Sequence, residues 1–73
     1  MTIGFRELLE RRCEERGILF HPLPGKFHEG KPVLRCGGLS IYLDRSVIFV
    51  HDAGVWVPSS LQSVLDKAAL TSV

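Results

Sequence analysis

Apolar and polar residues alternate along residues 39–57, LSIYLDRSVIFVHDAGVWV, around two short polar breaks. The first break is Asp44-Arg45-Ser46 and the second is Asp52-Ala53-Gly54. Period-two alternation bounded by turn residues predicts strands, so this run reads as a three-strand meander. After Pro58-Ser59-Ser60, the residues Leu61, Val64, Leu65 and Ala68 recur at helical spacing. Ser59 and Gln62 stand in the S-x-x-Q arrangement of a capping box. This stretch is architecture without chemistry: it holds no nucleophile, base or metal cluster.

The N-terminal part follows the helical period. Phe5, Leu8, Leu9 and Cys13 define one face, and the aliphatic stem of Arg12 is expected to complete it. Glu7 with Arg11, and Arg11 with Glu15, are spaced to pair on the solvent side. Gly4 with Glu7 reads as a weak capping box, and Gly17 before Ile18 as a stop. A helix over residues 5–16 follows. Residues 18–23 predict a short strand, which Pro22 and Pro24 confine to an edge. Residues 24–32, PGKFHEGKP, read as the longest irregular segment. Residues 33–36 predict a second strand, with a tight hairpin turn at Gly37-Gly38. Residues 71–73 are expected to fray. The predicted order is α-β-β-β-β-β-α. That is an α+β fold: a small antiparallel sheet of four to five strands, with an N-terminal and a C-terminal helix packed on one face.

Turn length decides which side chains face the helices. Three-residue turns at residues 44–46 and 52–54 pair Leu43 with Val47 and His51 with Val55, with Ser46 at positive φ. Pleating then directs Leu39, Ile41, Leu43, Val47, Phe49 and Val57 toward the helices. It leaves Tyr42, Ile48, Val50 and Trp56 on the far face. These four are the candidate protein-binding residues, because such a cluster in water is unusual for a monomer and Tyr and Trp are enriched at hot spots. Two alternatives stay open. A two-residue turn at Ala53-Gly54 would turn Trp56 into the core, and residues 24–32 could fold over the far face.

A chain of 73 residues is a single domain, residues 1–73, near the lower limit for an unaided core. Its net charge of +1 supplies no bulk drive toward nucleic acid or membrane. No run approaches the ~18 apolar residues of a membrane span. Met1-Thr2-Ile3-Gly4 lacks the basic and apolar regions of a signal peptide, so Cys13 and Cys36 read as reduced thiols of an intracellular protein. His21, His28, His51 and the cysteines do not form the close pairs that a zinc site requires. Neither cysteine has an electropositive setting, and no helix follows Gly37-Gly38 to hold phosphate. No catalytic, metal or cofactor residue is expected, and the first reading is a non-enzymatic protein-interaction domain. Lys26, His28, Lys31 and Arg35 cluster in sequence and are the candidate RNA contacts. Two helices on one face of a sheet suggest, as the second reading, a double-stranded-RNA-binding-like module that contacts RNA. Against it, the second helix carries Lys67 as its only basic side chain.

Three segments carry a family resemblance: FRELLERRCEERGILFHPLPGKFHEGK, IYLDRSVIFV and WVPSSLQSVLDKA. The most specific pieces are Pro24-Gly25-Lys26 with His28-Glu29-Gly30-Lys31, then Asp44-Arg45, then Trp56-Val57-Pro58 before Ser60-Leu61-Gln62. Together they resemble the C-terminal region of the septin-and-tuftelin-interacting protein family, the tuftelin-interacting proteins. Ser46 departs from the family pattern, where glycine is expected, and so does Arg35-Cys36-Gly37-Gly38. The resemblance implies a nuclear pre-mRNA splicing factor that acts in spliceosome disassembly. It implies spliceosomal proteins as partners, and a DEAH-box RNA helicase recruited through a G-patch that these residues do not contain. On that reading the chain is the C-terminal domain of a longer protein.

Overall fold

Leu9 and Cys13, one helical turn apart, are fully buried, and they fix how the first helix meets the sheet. The computed structural model describes residues 4–71. Their order is α1 (Phe5–Glu15), β1 (Phe20–His28), β2 (Lys31–Cys36), β3 (Leu39–Asp44), β4 (Val47–Asp52), β5 (Val55–Ser59) and α2 (Leu61–Thr71). The five strands form one antiparallel sheet in chain order. The predicted fraying of Ser72 and Val73 lies outside the described residues.

Gly4 caps α1 with extended backbone but without a side-chain bond. The other end closes on Gly17, at φ 69. There Ile18 N–H donates to the Cys13 carbonyl at 2.8 Å and Gly17 N–H to the Glu14 carbonyl at 3.2 Å. This is a Schellman motif, and it satisfies carbonyls that the helix end would otherwise leave open. Ile18, just beyond it, is buried. Arg12 departs from expectation. It points to solvent and pairs with Glu15 at 3.3 Å, taking the place foreseen for Arg11. The Glu7–Arg11 pair is present at 4.0 Å.

All four hairpins turn on two residues: Glu29-Gly30, Gly37-Gly38, Arg45-Ser46 and Ala53-Gly54. The first residue of each has positive φ, at 49°, 60°, 57° and 50° respectively. Positive φ at this position suits a two-residue turn to the right-handed twist of the strands. Three corrections follow. The positive φ falls on Arg45, not Ser46. Residues 24–32 are not an irregular loop, because β1 runs through them, with a bulge between Pro22 and Phe27, and reaches its turn at Glu29-Gly30. Asp44 pairs with Val47, so Leu43 faces Ile48 and Ile41 faces Val50. One step of register reverses every side chain of a strand. Ile48 and Val50 therefore belong to the core, not to the far face, and Val47 and Phe49 turn outward. The second turn is also one residue shorter than expected, and the two steps cancel in β5. Val50 pairs with Val57 on the helix side, and Trp56 stays on the far face opposite His51.

Both helices pack on one side of the sheet. Leu9 and Cys13 of α1 join Val64, Leu65 and Ala68 of α2 over Leu34, Cys36, Ile41, Ile48 and Val50. The α2 cap is Ser60 rather than Ser59: its Oγ accepts from Ser63 N–H at 3.2 Å, while Gln62 donates to Asp66 at 3.0 Å. The far end of α2 rests on the β2–β3 turn. A Cβ at Gly37 would stand 2.6 Å from the Ala68 carbonyl oxygen, and one at Gly38 would stand 2.8 Å from Thr71 Cβ. Gly38 N–H donates to Thr71 Oγ1 at 3.0 Å, so Thr71 is anchored.

Candidate interaction face

The sheet face away from the helices is built by alternate residues of all five strands. His21 lies opposite Arg35, Arg35 opposite Ser40, and His51 opposite Trp56. In the next row Tyr42 lies opposite Phe49, and Phe49 opposite Pro58. Rings crowd this face. Tyr42 stacks on Phe49 at 4.9 Å and meets the edge of Trp56 at 4.8 Å. His28 stands 4.7 Å from Tyr42 and 5.1 Å from Trp56, and His51 stands 4.9 Å from Trp56.

The His28–Trp56 contact defines the shape of the face. These residues belong to β1 and β5, the two edges of the sheet. Edge strands of a flat five-stranded sheet would lie roughly 19 Å apart, four spacings of about 4.8 Å. Rings in contact across that span require a strongly curled sheet, and the far face is its concave side. The bulged part of β1 forms a second wall. Leu23, Gly25, Lys26 and Phe27 of this segment line an open cleft of about 460 Å³ together with Val33, Arg35, Ser40, His51 and Trp56. Val33 and Tyr42 are buried on this face at 7% and 8% exposure. Phe27, on the cleft wall, is 67% exposed.

Charge is divided along the face. Lys26 and Arg35 line the cleft, which has no acidic side chain among its described lining residues. Glu29 and Asp44 lie toward Tyr42. Burial pushes the Tyr42 phenol above its ordinary pKa, and these two carboxylates add to the effect.

The candidate residues divide accordingly. Tyr42 and Trp56 lie on the far face, but Tyr42 is buried there against His28, Phe49 and Trp56 rather than in water. Ile48 and Val50, the other two of that set, are in the helix-side core. Of the basic candidates, Lys26 and Arg35 meet at the cleft, His28 joins the ring cluster, and Lys31 lies opposite His28 in the β1–β2 ladder. Leu23, Phe27, Val33, Ser40 and His51 are cleft residues not singled out from the sequence. His51 was within reach, since a two-residue turn at Ala53-Gly54 sets it opposite Trp56. The β1 side of the cleft was not, because neither proline nor glycine spacing shows a bulge carrying its strand onward.

Cys13 and Cys36 meet in the core, Sγ to Sγ 3.4 Å. Burial pushes the Cys36 thiol up to about 12 and raises that of Cys13. Such thiols are protonated at neutral pH and are poor nucleophiles. Among the described residues no group of three or more His, Cys, Asp or Glu could hold a metal ion.

Fold and face together define a small α+β domain with a concave, aromatic and cationic sheet surface. The sequence profile of the TFIP11 C-terminal domain matches residues 6–69, and the chain belongs to that family. It is 47% identical over 68 residues to Tuftelin-interacting protein 11 of Sus scrofa, and equally to those of Pan troglodytes and Macaca mulatta. The match covers 93% of this chain and 8% of each relative.

Proposed function

We propose that this domain is a non-enzymatic interaction module of a nuclear pre-mRNA splicing factor that serves spliceosome disassembly, and that it engages its partner through the cleft on the far sheet face. The observation that carries this reading is the juxtaposition of exposed Phe27, half-buried Trp56 and the cations Lys26 and Arg35 around one concavity. Membership of the tuftelin-interacting family supports the splicing context. The partners in that context are spliceosomal components. A DEAH-box helicase would be engaged by a G-patch elsewhere in the full-length protein.

Burial of Ile48 and Val50 changes the surface from the aliphatic patch expected to an aromatic and cationic one. The double-stranded RNA reading loses ground. Duplex recognition uses a surface spanning about 16 base pairs. Here Lys26 and Arg35 converge in a cleft, and Arg11, Arg12 and Arg16 are held by Glu7, Glu15 and Asp66.

The test is capture from splicing extract with the immobilised domain, its Arg35→Glu variant and its Trp56→Ala variant. The parent is expected to retain spliceosomal components, and both variants to lose them while their melting stays cooperative. Equal capture by parent and Arg35→Glu would remove the far face as the interaction surface.

A further inference from the structure

We propose that the cleft binds single-stranded RNA, seating one or two nucleotides with bases against the rings and phosphates on Lys26 and Arg35. This assignment rests on the reading of the far face as the interaction surface, and names its occupant.

Four observations converge on it. The cleft volume, about 460 Å³, falls within the roughly 300–1,000 Å³ of small-ligand sites. Its lining includes Phe27, largely in water, and Trp56, partly buried among His28, Tyr42 and His51. Aromatic rings left open beside a basic track are the platform on which unpaired bases stack, largely without regard to sequence. Lys26 and Arg35 take part in none of the ion pairs among the described residues, so their charge is available. The described lining of the cleft contains no carboxylate to repel a phosphate, and Ser40 and His51 in that lining offer hydrogen bonds to a base edge or a 2′-hydroxyl.

The shape separates a single strand from the alternatives. A duplex presents its phosphates on a convex surface, which a concavity holding both cations meets poorly. An acidic peptide would satisfy Lys26 and Arg35 and leave the rings without a partner of matching shape. An unpaired nucleotide brings a flat ring and an anion together.

Trp56 is the only tryptophan of the chain, so its fluorescence reports on the cleft directly. The experiment titrates the whole chain with short oligouridylate and oligoadenylate, with an RNA duplex of about 16 base pairs, and with polyglutamate. Single strands are expected to quench Trp56 saturably. Their affinity should fall with salt at a log–log slope near about −1.4, the value for two phosphates at roughly −0.7 each. Lys26→Ala with Arg35→Ala, both on exposed side chains, should weaken binding about tenfold or more and flatten that slope. Lys67→Ala on α2 should change neither. Single strands that leave Trp56 unquenched, or that bind the double variant as tightly as the parent, overturn the proposal. Equal or tighter binding of duplex or polyglutamate overturns the single-strand assignment, while the interaction-face reading stands if capture from extract still depends on Arg35. Loss of that dependence as well would bring down both.

Discussion

The thiols of Cys13 and Cys36 touch in the middle of the core, 3.4 Å apart, and tie α1 to β2. Both residues are fully buried and neither is in a disulfide. The pair behaves as two small apolar side chains with a weak mutual hydrogen bond.

That burial predicts an alkaline limit to stability. The ordinary thiol pKa of 9.0 applies to the unfolded chain, whereas the folded state holds the Cys36 proton up to about 12. Above pH 9 the unfolded state therefore binds fewer protons than the folded one, and stability falls as pH rises toward 12. Below pH 9 the thiols contribute no slope. The raised phenol of Tyr42 acts in the same direction. Urea titrations across this range should show a falling midpoint, and Cys13→Ala with Cys36→Ala should flatten the fall. A midpoint independent of pH up to 11 would refute it.

Gly37 is expected to be the least replaceable glycine. At φ 60 an alanine is strained, and its Cβ would also meet the Ala68 carbonyl oxygen at 2.6 Å. Gly25 has φ 74 but open space around a Cβ. Gly25→Ala should cost about 1–2 kcal/mol from conformation alone. Gly37→Ala should cost more, because α2 must shift off the turn. Denaturation of the two variants side by side checks this, and equal costs would mean that the turn and α2 are not in tight contact.

The β4–β5 turn can be improved. Ala53, at φ 50, precedes Gly54 at φ 84, and Asn tolerates this left-handed conformation far better than Ala. Ala53→Asn should raise stability by about 0.5–1 kcal/mol. In the preceding turn Arg45→Gly should relieve strain, while Ser46→Gly should add only unfolded-state entropy. A melting point raised by Ser46→Gly and lowered by Arg45→Gly would contradict the observed register.

Leu65 is a keystone of the helix-side core at 2% exposure. Leu65→Ala should cost about 2–5 kcal/mol, comparable with the whole margin of so small a domain. The variant is expected to be largely unfolded at room temperature by circular dichroism. Parent-like melting would remove Leu65 from the core.

Element order, both helical stripes and the single-faced packing are legible in the residue pattern. Leu61, Val64, Leu65 and Ala68 can share a face only on a helix, and Tyr42 and Ile41 can separate only on a strand. The register is not legible in the same way. Asp44-Arg45-Ser46 is compatible with a two- or a three-residue turn, and the choice rests on whether Arg45 accepts positive φ. That small energy difference decides whether Ile48 and Val50 meet α2 or water, and the burial of both favours the strained turn. The outward placement of Trp56 is right in the expectation only because two errors of one residue cancel. The cleft is the least legible part, since a bulge between Pro22 and Phe27 leaves no periodic signature.

Every strand pairs with its immediate neighbour in sequence, and every hairpin closes over two residues. Such a sheet has low contact order, so each pairing closes a short loop with little chain entropy lost. The meander can grow one hairpin at a time. The contacts that span the chain are those of α1 and α2 with the sheet. A fold assembled this way depends little on what is attached to it, and it should reach its native state quickly wherever in a longer polypeptide it is carried.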